Sequence, residues 1–269
     1  MQAVIDLANR LDEQAILDMH STLLGQSQPE IVGRWRDEQV WIGGGHFGPH
    51  EALFIPPHAS RVPAAMTDLL RFCQRDDVPV LLQAAIAHAQ FETIHPFPEG
   101  NGRTGRALIH SLLRAKGTTR NVTVPVSAGL LTDVPSYFSA LTSYRAGNPN
   151  VFIELVANAT FIAINNGREL VSELRAAQTR WAALITTRRG SAPHRIAELL
   201  VRQPVIDSVV VQRELGIHAS NALAAIEHLV DVGILAKVAG NHRNRKWAAQ
   251  DVLKALDSFA SRSGRQAIE

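Results

Sequence analysis

The pattern of hydrophobic and polar positions predicts a mainly helical chain. Apolar residues recur at helical spacing ahead of Gly25, after Pro63 and over about 135–145. Residues 79–91 are apolar nearly all round, which is typical of a central buried helix. The longest helical pattern runs from 151 to about 186. We therefore expect a helical bundle in the first part of the chain.

Two short β-rich runs interrupt this helical pattern. Residues 39–42 and 52–55 flank a glycine-rich turn, which predicts a β-hairpin over about 39–55. The turn contains a Gly-x-Gly-x-x-Gly spacing at 43–48, but Pro49 and a second β-rich run follow instead of a helix. A dinucleotide site needs strand, turn and helix together, so we reject that interpretation.

A change of composition near 187–193 predicts a domain boundary, with one domain over 1–187 and another over 188–269. The second part combines a helix–turn–helix pattern with a following hairpin, an order that resembles a small winged helix. Its predicted elements are helices over 194–203, 209–215, 219–232 and 250–260, and strand runs over 234–238 and 245–248.

Charge is distributed unevenly between these two parts. Residues 188–269 hold 12 Lys and Arg against 8 Asp and Glu, a net +4, whereas the first 187 residues carry −2. Cations on the wing could meet DNA phosphates, but the helix over 219–232 holds few side chains that read bases. DNA binding, protein docking and dimerisation therefore all stay open. The candidate DNA contacts are Ser220, Asn221, Arg243, Arg245 and Lys246.

Composition narrows the cellular setting. Cys73 is the only cysteine, so no intrachain disulfide can form, which fits a reducing cytoplasm. Residues 1–25 contain several charged side chains and do not read as a signal peptide. No uninterrupted apolar stretch is long enough to span a bilayer. We expect a cytoplasmic protein without a membrane segment.

The densest chemistry lies in residues 95–106. Gly100 and Gly102 flank Asn101, and two glycines so close allow successive N–H groups to point into one hollow. A helix pattern starts at about Asn101, so this hollow would lie at a helix N-terminus, which favours phosphate. Arg103 and Arg106 share one face of the first turns and can reach the same anion.

Three further side chains complete this segment. His95 is suited to proton transfer near neutral pH. Glu99 precedes the phosphate hollow, where a carboxylate would hold Mg²⁺ that bridges to the phosphates. Phe97 is expected to bury its ring as an anchor for the loop. Any one of these residues alone would suit a helix cap with a salt-bridged surface, whereas the ordered set favours a polyphosphate site.

The same segment resembles the signature of the Fic family, His-x-Phe-x-(Asp/Glu)-Gly-Asn-Gly-Arg-x-x-Arg, at every specified position. The resemblance extends over roughly residues 1–180 and implies a Fic-type helical bundle with one β-hairpin flap. It also implies a protein adenylyltransferase that moves AMP from ATP to a Ser, Thr or Tyr hydroxyl of a target or of itself and releases pyrophosphate. The expected ligands are ATP and Mg²⁺.

The resemblance also implies roles for individual residues. His95 corresponds to the base that deprotonates the target hydroxyl, and Glu99 to the Mg²⁺ ligand. The flap over 39–55 corresponds to the surface on which the target protein docks. Tyr137 and Phe138 resemble a tyrosine pair near the adenine pocket, with the second hydroxyl lost; core packing explains them equally well. The phosphate contacts would be Gly100, Asn101, Gly102, Arg103 and Arg106.

Two alternatives remain beside this function. The chain could be a DNA-binding regulator whose Fic part senses nucleotide or modifies its own chain. Within the enzyme class, the transferred group could be UMP, phosphate or phosphocholine, or the enzyme could remove AMP. The target and the oligomeric state, including a homodimer, stay open.

Regulation is a separate question. Many Fic proteins carry an inhibitory (Ser/Thr)-x-x-x-Glu-(Gly/Asn) helix whose Glu pairs with the second signature arginine, here Arg106. The chain holds no such motif. Residues 2–11 resemble the helix that normally follows it, so its usual place would precede Met1. A natural short form, an inhibitor on another chain and a trimmed chain all explain this, and in each case we expect the chain as given to be uninhibited.

Overall fold

The computed structural model describes residues 11–44, 48–119, 126–130, 133–239 and 245–262. It confirms the prediction of a mainly helical chain. Contacts separate the chain into two compact units, Met1–Ala163 and Ile164–Glu269. This division falls inside one long helix, whereas the boundary expected from composition lies at 187/188. Each unit has its own hydrophobic core.

The first unit is a bundle of helices around one apolar helix. The helices are α1 (Glu13–Leu24), α2 (Val62–Cys73), α3 (Val80–Ile94), α4 (Asn101–Ala115), α5 (Val126–Leu130), α6 (Val134–Arg145) and the first half of α7 (Asn150–Leu184). Helix α3 itself is buried on nearly every side, as its pattern predicts. Its buried residues include three polar ones, Gln83, His88 and Glu92. This central position gives the site that follows α3 a rigid support.

Local signals set several helix ends. The Asp12 carboxylate accepts a hydrogen bond of 2.8 Å from Ala15 N, and Asp133 accepts one of 3.0 Å from Ser136 N, so both act as N-caps. Pro63 lies in the first turn of α2, where its missing N–H costs nothing. These caps stabilise α1 and α6 next to the segments that carry the candidate site.

The flap is shorter than the sequence suggests. The expected pair of strands is reduced to one antiparallel bridge between Ile42 and Phe54, with hydrogen bonds of 2.8–3.2 Å. Gly43 and Gly44 have φ of 76° and 79°, so the chain turns away directly after the bridge. Leu53 is 79% exposed. The described residues of the hairpin therefore lack a buried apolar face that would stabilise longer pairing. Residues 45–47 lie outside the described part of the chain.

The second unit joins helices to a small sheet. The second half of α7 packs with α8 (Ala192–Arg202), α9 (Ser208–Leu215), α10 (Ala219–Asp231) and α11 (Gln250–Arg262) around the ring of Trp181. Strands β1 (Val205–Ile206), β2 (Ala236–Ala239) and β3 (Lys246–Ala248) form an antiparallel sheet in the order β1-β3-β2. The sequence pattern missed β1, because two residues carry no periodicity.

None of the helices in the described ranges is both long enough and apolar enough to cross a membrane.

Candidate active site

His95 follows the last residue of α3 and ends that helix. Its φ of 51° places it in the left-handed region, the one positive φ outside glycine among the described residues. Its N–H donates to Phe91 O at 2.8 Å, and its carbonyl accepts from Arg36 Nε at 2.8 Å. The backbone on both sides of the imidazole is therefore held by hydrogen bonds.

The His95 imidazole is neutral at physiological pH. Burial lowers its pKa to about 4, and the positive charges of Arg36 and Arg145 act in the same direction. A neutral imidazole can accept a proton, so the structure presents His95 in the form that a general base requires.

The loop after His95 is anchored by its phenylalanine. Phe97 is fully buried, stacked on the His20 ring at a centroid distance of 3.7 Å and an interplanar angle of 1°, with Trp35 at 5.2 Å. The Nε2 atom of His20 lies 3.0 Å from Glu99 O. These contacts hold the loop that connects α3 to α4.

The Asn101 side chain is occupied by the loop itself. Its Oδ1 accepts from Phe97 N at 2.9 Å, and its Nδ2 donates to Phe97 O at 2.8 Å. Asn101 is 2% exposed. Its amide therefore closes the turn, so a contribution of Asn101 to the expected phosphate cradle would come from its backbone N–H.

The N-terminus of α4 has the form expected of an anion site. Thr104 N donates to Gly100 O at 3.0 Å, the first bond of the helix, so the N–H groups of residues 101–103 have no acceptor within it. Gly100 has a φ of 78°, and a Cβ there would collide with the Leu24 side chain. This close approach lets the loop lie directly on α1.

Two arginines accompany these N–H groups. The Arg106 guanidinium folds back along the first turn of α4. Its Nη1 lies 3.1 Å from the position that a Cβ on Gly102 would take. Arg103 is exposed at the same end of the helix. Within the described part of the chain, neither arginine forms a salt bridge with a carboxylate. Both charges are therefore available to an anionic ligand.

Glu99 is exposed just before α4. Its carboxylate is a hard oxygen donor of the kind that Mg²⁺ prefers, so its chemistry fits that ion. Among the residues that the structure describes, no three His, Cys, Asp or Glu side chains form a metal-binding group. A Mg²⁺ ion at Glu99 would therefore take its other ligands from phosphate oxygens and water.

A buried polar cluster supports α4 from the side of α3. Burial raises the pKa of Glu92 to about 7 against the opposing charges of Arg106 and Arg145. His88 Nε2 lies 3.0 Å from the Tyr137 hydroxyl, and burial lowers the His88 pKa to about 4. Gly105 of α4 leaves the room for this cluster, because a Cβ there would lie 2.7 Å from Glu92 Oε1.

The two rings expected near adenine occupy different environments. Tyr137 is 8% exposed and its hydroxyl belongs to the buried cluster, whereas Phe138 is 42% exposed and meets the Tyr137 ring edge-on at 5.6 Å. Neither residue lines the cavity between the flap, α3 and α6, and their expected place near adenine stays a prediction.

A cavity of about 500 Å³ lies between the flap, α3 and α6. The Arg145 guanidinium stands over the Phe54 ring, 3.5 Å from its centroid, which joins α6 to the flap by a cation–π contact. The Tyr144 hydroxyl donates to Gln90 Oε1 at 2.8 Å. The lining residues are Phe54, Ile55, Pro57, Arg61, Gln90, Thr93, Tyr144 and Arg145.

Residues 10–113 match the model of the Fic/DOC family. The chain contains a Fic-family domain. Residues 95–106, which carry the signature, lie near the C-terminal end of the matched range.

Curated relatives of the Fic domain are named protein adenylyltransferases. The chain is similar to fic-1 of Caenorhabditis elegans, with 29% identity over 145 residues, 53% of this chain and 26% of that protein. It is 30% identical to Fic of Drosophila melanogaster over 148 residues, 54% and 27% of the two chains. Fic of Nematostella vectensis is 29% identical over 145 residues, 54% and 31%. The matches thus span about a quarter to a third of these relatives.

A solved structure extends the similarity of fold beyond the Fic domain. A Fic family protein from Desulfovibrio desulfuricans G20 superimposes with a TM-score of 0.56 and 22% identity, over 92% of this chain and 72% of that one. At this identity the likeness concerns the fold alone.

The candidate DNA contacts lie outside the Fic domain. Ser220 and Asn221 are exposed on the first turn of α10, Lys246 is exposed on β3 and Arg245 is half-buried. Arg243 lies outside the described residues. Four of these five residues therefore lie in the described part of the second unit, three of them on helix α10 or strand β3.

The sequence patterns did not point to Arg36 or the buried Glu92 as neighbours of the candidate site. Each carried a signal: Glu92 and His88 are polar residues four apart in a mostly apolar helix, and Arg36 is a charged residue beside Trp35. A polar residue in a stretch that must be buried needs a partner, and that requirement points to a network. Residues 2–11 resemble the helix after the inhibitory motif, and of these residues 2–10 lie outside the described part of the chain.

Proposed function

We propose that the Fic domain transfers AMP from ATP to a Ser, Thr or Tyr hydroxyl of a protein, its own chain or another. The observation that carries this proposal is that a neutral His95 directly precedes the loop into the α4 N-terminus, where Arg103 and Arg106 form no salt bridge with any described carboxylate. The adenylyltransferase names of the relatives support AMP over UMP, phosphate or phosphocholine as the transferred group.

The chemistry follows from these positions. The hydroxyl oxygen attacks the α-phosphorus while His95 takes its proton. The bond from the α-phosphorus to the bridging oxygen breaks, and its electron pair leaves with pyrophosphate. Arg103, Arg106 and the free N–H groups at the α4 N-terminus stabilise the charge that develops on the outer phosphates. Mg²⁺ held by Glu99 would supply further neutralisation of the phosphate oxygens.

The flap is the proposed docking surface for the acceptor protein. Leu53 and Ile55 are 79% and 52% exposed, and the edge beside the Ile42–Phe54 bridge is short. An extended peptide could add to this edge through backbone hydrogen bonds and cover these apolar side chains.

The test is incubation with ATP and Mg²⁺ followed by intact-mass measurement of the protein and of candidate targets. We expect a gain of one AMP unit with the wild-type chain and none with His95→Ala. An equal gain in His95→Ala would remove His95 from the role of base. A different added mass would identify another transferred group, and no gain on any protein would overturn the transferase function.

A second function, DNA binding, is supported by the second unit. We propose that residues 188–269 form a winged helix, because α8, β1, α9, α10, β2 and β3 follow one another in the order of that fold. Exposed Asn221 and Lys246 and the net charge of +4 favour a nucleic-acid ligand. A mobility shift at physiological salt, compared between wild type and Lys246→Glu, tests this. If the DNA has the same mobility with and without the protein, protein docking or a homodimer remains as the role of this unit.

A further inference from the structure

Arg36 is a buried cation, and in the part of the chain that the structure describes its guanidinium donates to backbone carbonyls. It is 3% exposed. Its Nε donates to His95 O at 2.8 Å and its Nη1 to Glu38 O at 2.8 Å. Its Nη2 donates to Pro57 O and, at 3.4 Å, to Ile94 O. No carboxylate pairs with it among the described residues.

Burying such a charge is costly unless its donors are satisfied. An unpaired buried ion is strongly unfavourable, so the four carbonyls must offset most of the cost of taking this charge out of water. Two of them, Ile94 O and His95 O, belong to the C-terminal end of α3, where unsatisfied carbonyls and the helix dipole favour a cation. Arg36 therefore caps the helix that carries His95 and supports its left-handed backbone.

The other two carbonyls lie at the two stems of the flap. Glu38 O directly precedes the first β-rich run, and Pro57 O follows the second. The Arg36 backbone adds a further link, because its N–H donates to Pro96 O at 2.9 Å. One residue thus holds both ends of the flap and the backbone of His95 and Pro96.

We propose that Arg36 is a positioning residue that sets the flap at a fixed distance from the His95 imidazole. An acceptor hydroxyl held by the flap then lies within reach of the base. This inference rests on the proposed function, in which the flap is the docking surface for the acceptor protein. Within the described ranges, no hydrogen bond joins the Arg36 guanidinium to residues 101–106. Arg36 therefore sets the position of the acceptor and leaves the phosphate cradle unchanged.

The test compares Arg36→Lys and Arg36→Met with Arg34→Met. Lysine keeps the charge but cannot reach both stems and α3 at once. Arg34 is the matched control, because it lies two residues away with a 65% exposed side chain, 4.0 Å from Asp37. Three quantities are measured on each variant: hydrogen exchange at the amides of Ile42, Leu53 and Phe54, the affinity and stoichiometry of ATP–Mg²⁺ binding, and kcat and KM for AMP transfer to protein.

For Arg36→Lys we expect exchange at the flap amides to accelerate roughly tenfold. We expect kcat to fall roughly 10- to 100-fold, because a small misplacement of reacting groups has that effect. ATP affinity and stoichiometry stay within about twofold of wild type, since the cradle is untouched. Arg36→Met shows the larger loss, and Arg34→Met behaves as wild type.

Two outcomes overturn the proposal. One is wild-type exchange and kcat in Arg36→Lys. The other is a loss of ATP-binding stoichiometry in proportion to kcat, which would mean that Arg36 only maintains the fold. If Arg36→Met does not fold, Arg36→Lys alone decides. If the wild-type chain transfers no nucleotide, the proposed function fails, and flap exchange then decides the link to Arg36 by itself.

Discussion

His95 is the residue at which burial and chemistry are most closely connected. Taking the imidazole out of water disfavours its charged form and lowers the pKa to about 4. The gain is that the neutral base is present throughout the physiological range, and the cost is a weaker base. The two cations near it, Arg36 and Arg145, push the pKa the same way.

This pKa predicts the pH dependence of transfer. We expect kcat/KM to stay flat from pH 8 down to about 5.5 and to fall only as pH approaches 4, because the neutral imidazole is lost there. Rates measured with ATP–Mg²⁺ over this range, within the limits where circular dichroism shows a folded chain, test it. A fall centred near pH 6.5 would show a solvated imidazole instead.

The lowered pKa of His95 also makes the free energy of unfolding depend on pH. Above pH 6.5 the imidazole is neutral in both the folded and unfolded chains, so it contributes nothing to the dependence on pH. Between 6.5 and about 4 the unfolded chain binds the proton first, so His95 lowers the free energy of unfolding as pH falls. His88, with a pKa also lowered to about 4, acts in the same window and direction.

Gly105 is a second residue at which close packing determines a prediction. We expect Gly105→Ala to lower the free energy of unfolding by about 1–3 kcal/mol, because its Cβ would lie 2.7 Å from Glu92 Oε1 and 3.0 Å from the His88 ring. Gly167→Ala is the matched control within a helix. Its Cβ would meet nothing within 4 Å, so it should stabilise by about 0.5–1 kcal/mol. Denaturant unfolding of both variants measures the difference, and equal effects would contradict the close contact.

At the scale of elements, two helices of the second unit meet through a tryptophan. Trp181 of α7 is 2% exposed and donates from Nε1 to Asp251 Oδ2 of α11 at 2.9 Å. Asp251 also lies 3.2 Å from Arg180, but both of those side chains are partly exposed, so that ion pair contributes little. The hydrogen bond to the buried indole is the stronger link.

Removing this acceptor should destabilise the second unit. We expect Asp251→Ala to cost about 1–3 kcal/mol, because it leaves the buried indole N–H without a partner. Asp251→Asn keeps a carbonyl oxygen and should retain most of that stability. Asp257→Ala, on an exposed position of the same helix, should stay within about 0.5 kcal/mol of wild type. Tryptophan fluorescence during denaturant unfolding reports all three, and an Asp251→Ala midpoint equal to wild type would refute the link.

At the scale of the whole molecule, ligand binding should appear as added stability. In the His95→Ala background, which prevents turnover, ATP–Mg²⁺ at 100 times its Kd should raise the free energy of unfolding by about 2.7 kcal/mol. Adding Arg103→Ala and Arg106→Ala should weaken binding, and most of that gain should be lost at the same ATP concentration. Thermal unfolding with and without ATP–Mg²⁺ measures this. Undiminished stabilisation in the triple variant would place the phosphates away from α4.

The local pattern was sufficient for most helices. The apolar spacing predicted α2, α3, α6 and most of α7 close to their observed bounds, because one buried face at the helical period needs no long-range information. It overestimated the flap, because an alternating run cannot show that Gly43 and Gly44 turn the chain away. It missed β1, whose two residues form a strand only because β3 pairs with them.

For the candidate site, the sequence by itself determined which chemical groups are present and their order, since residues 95–106 bring a base, a carboxylate and two arginines close along the chain. Only the tertiary structure decided what each group is free to do. It commits the Asn101 amide to Phe97 and buries Glu92 beside α4. It also brings the Arg36 guanidinium, 59 residues away in sequence, into a hydrogen bond with the His95 carbonyl. The physical reason is that burial and hydrogen-bond partners come from segments distant in the chain, which no local pattern records.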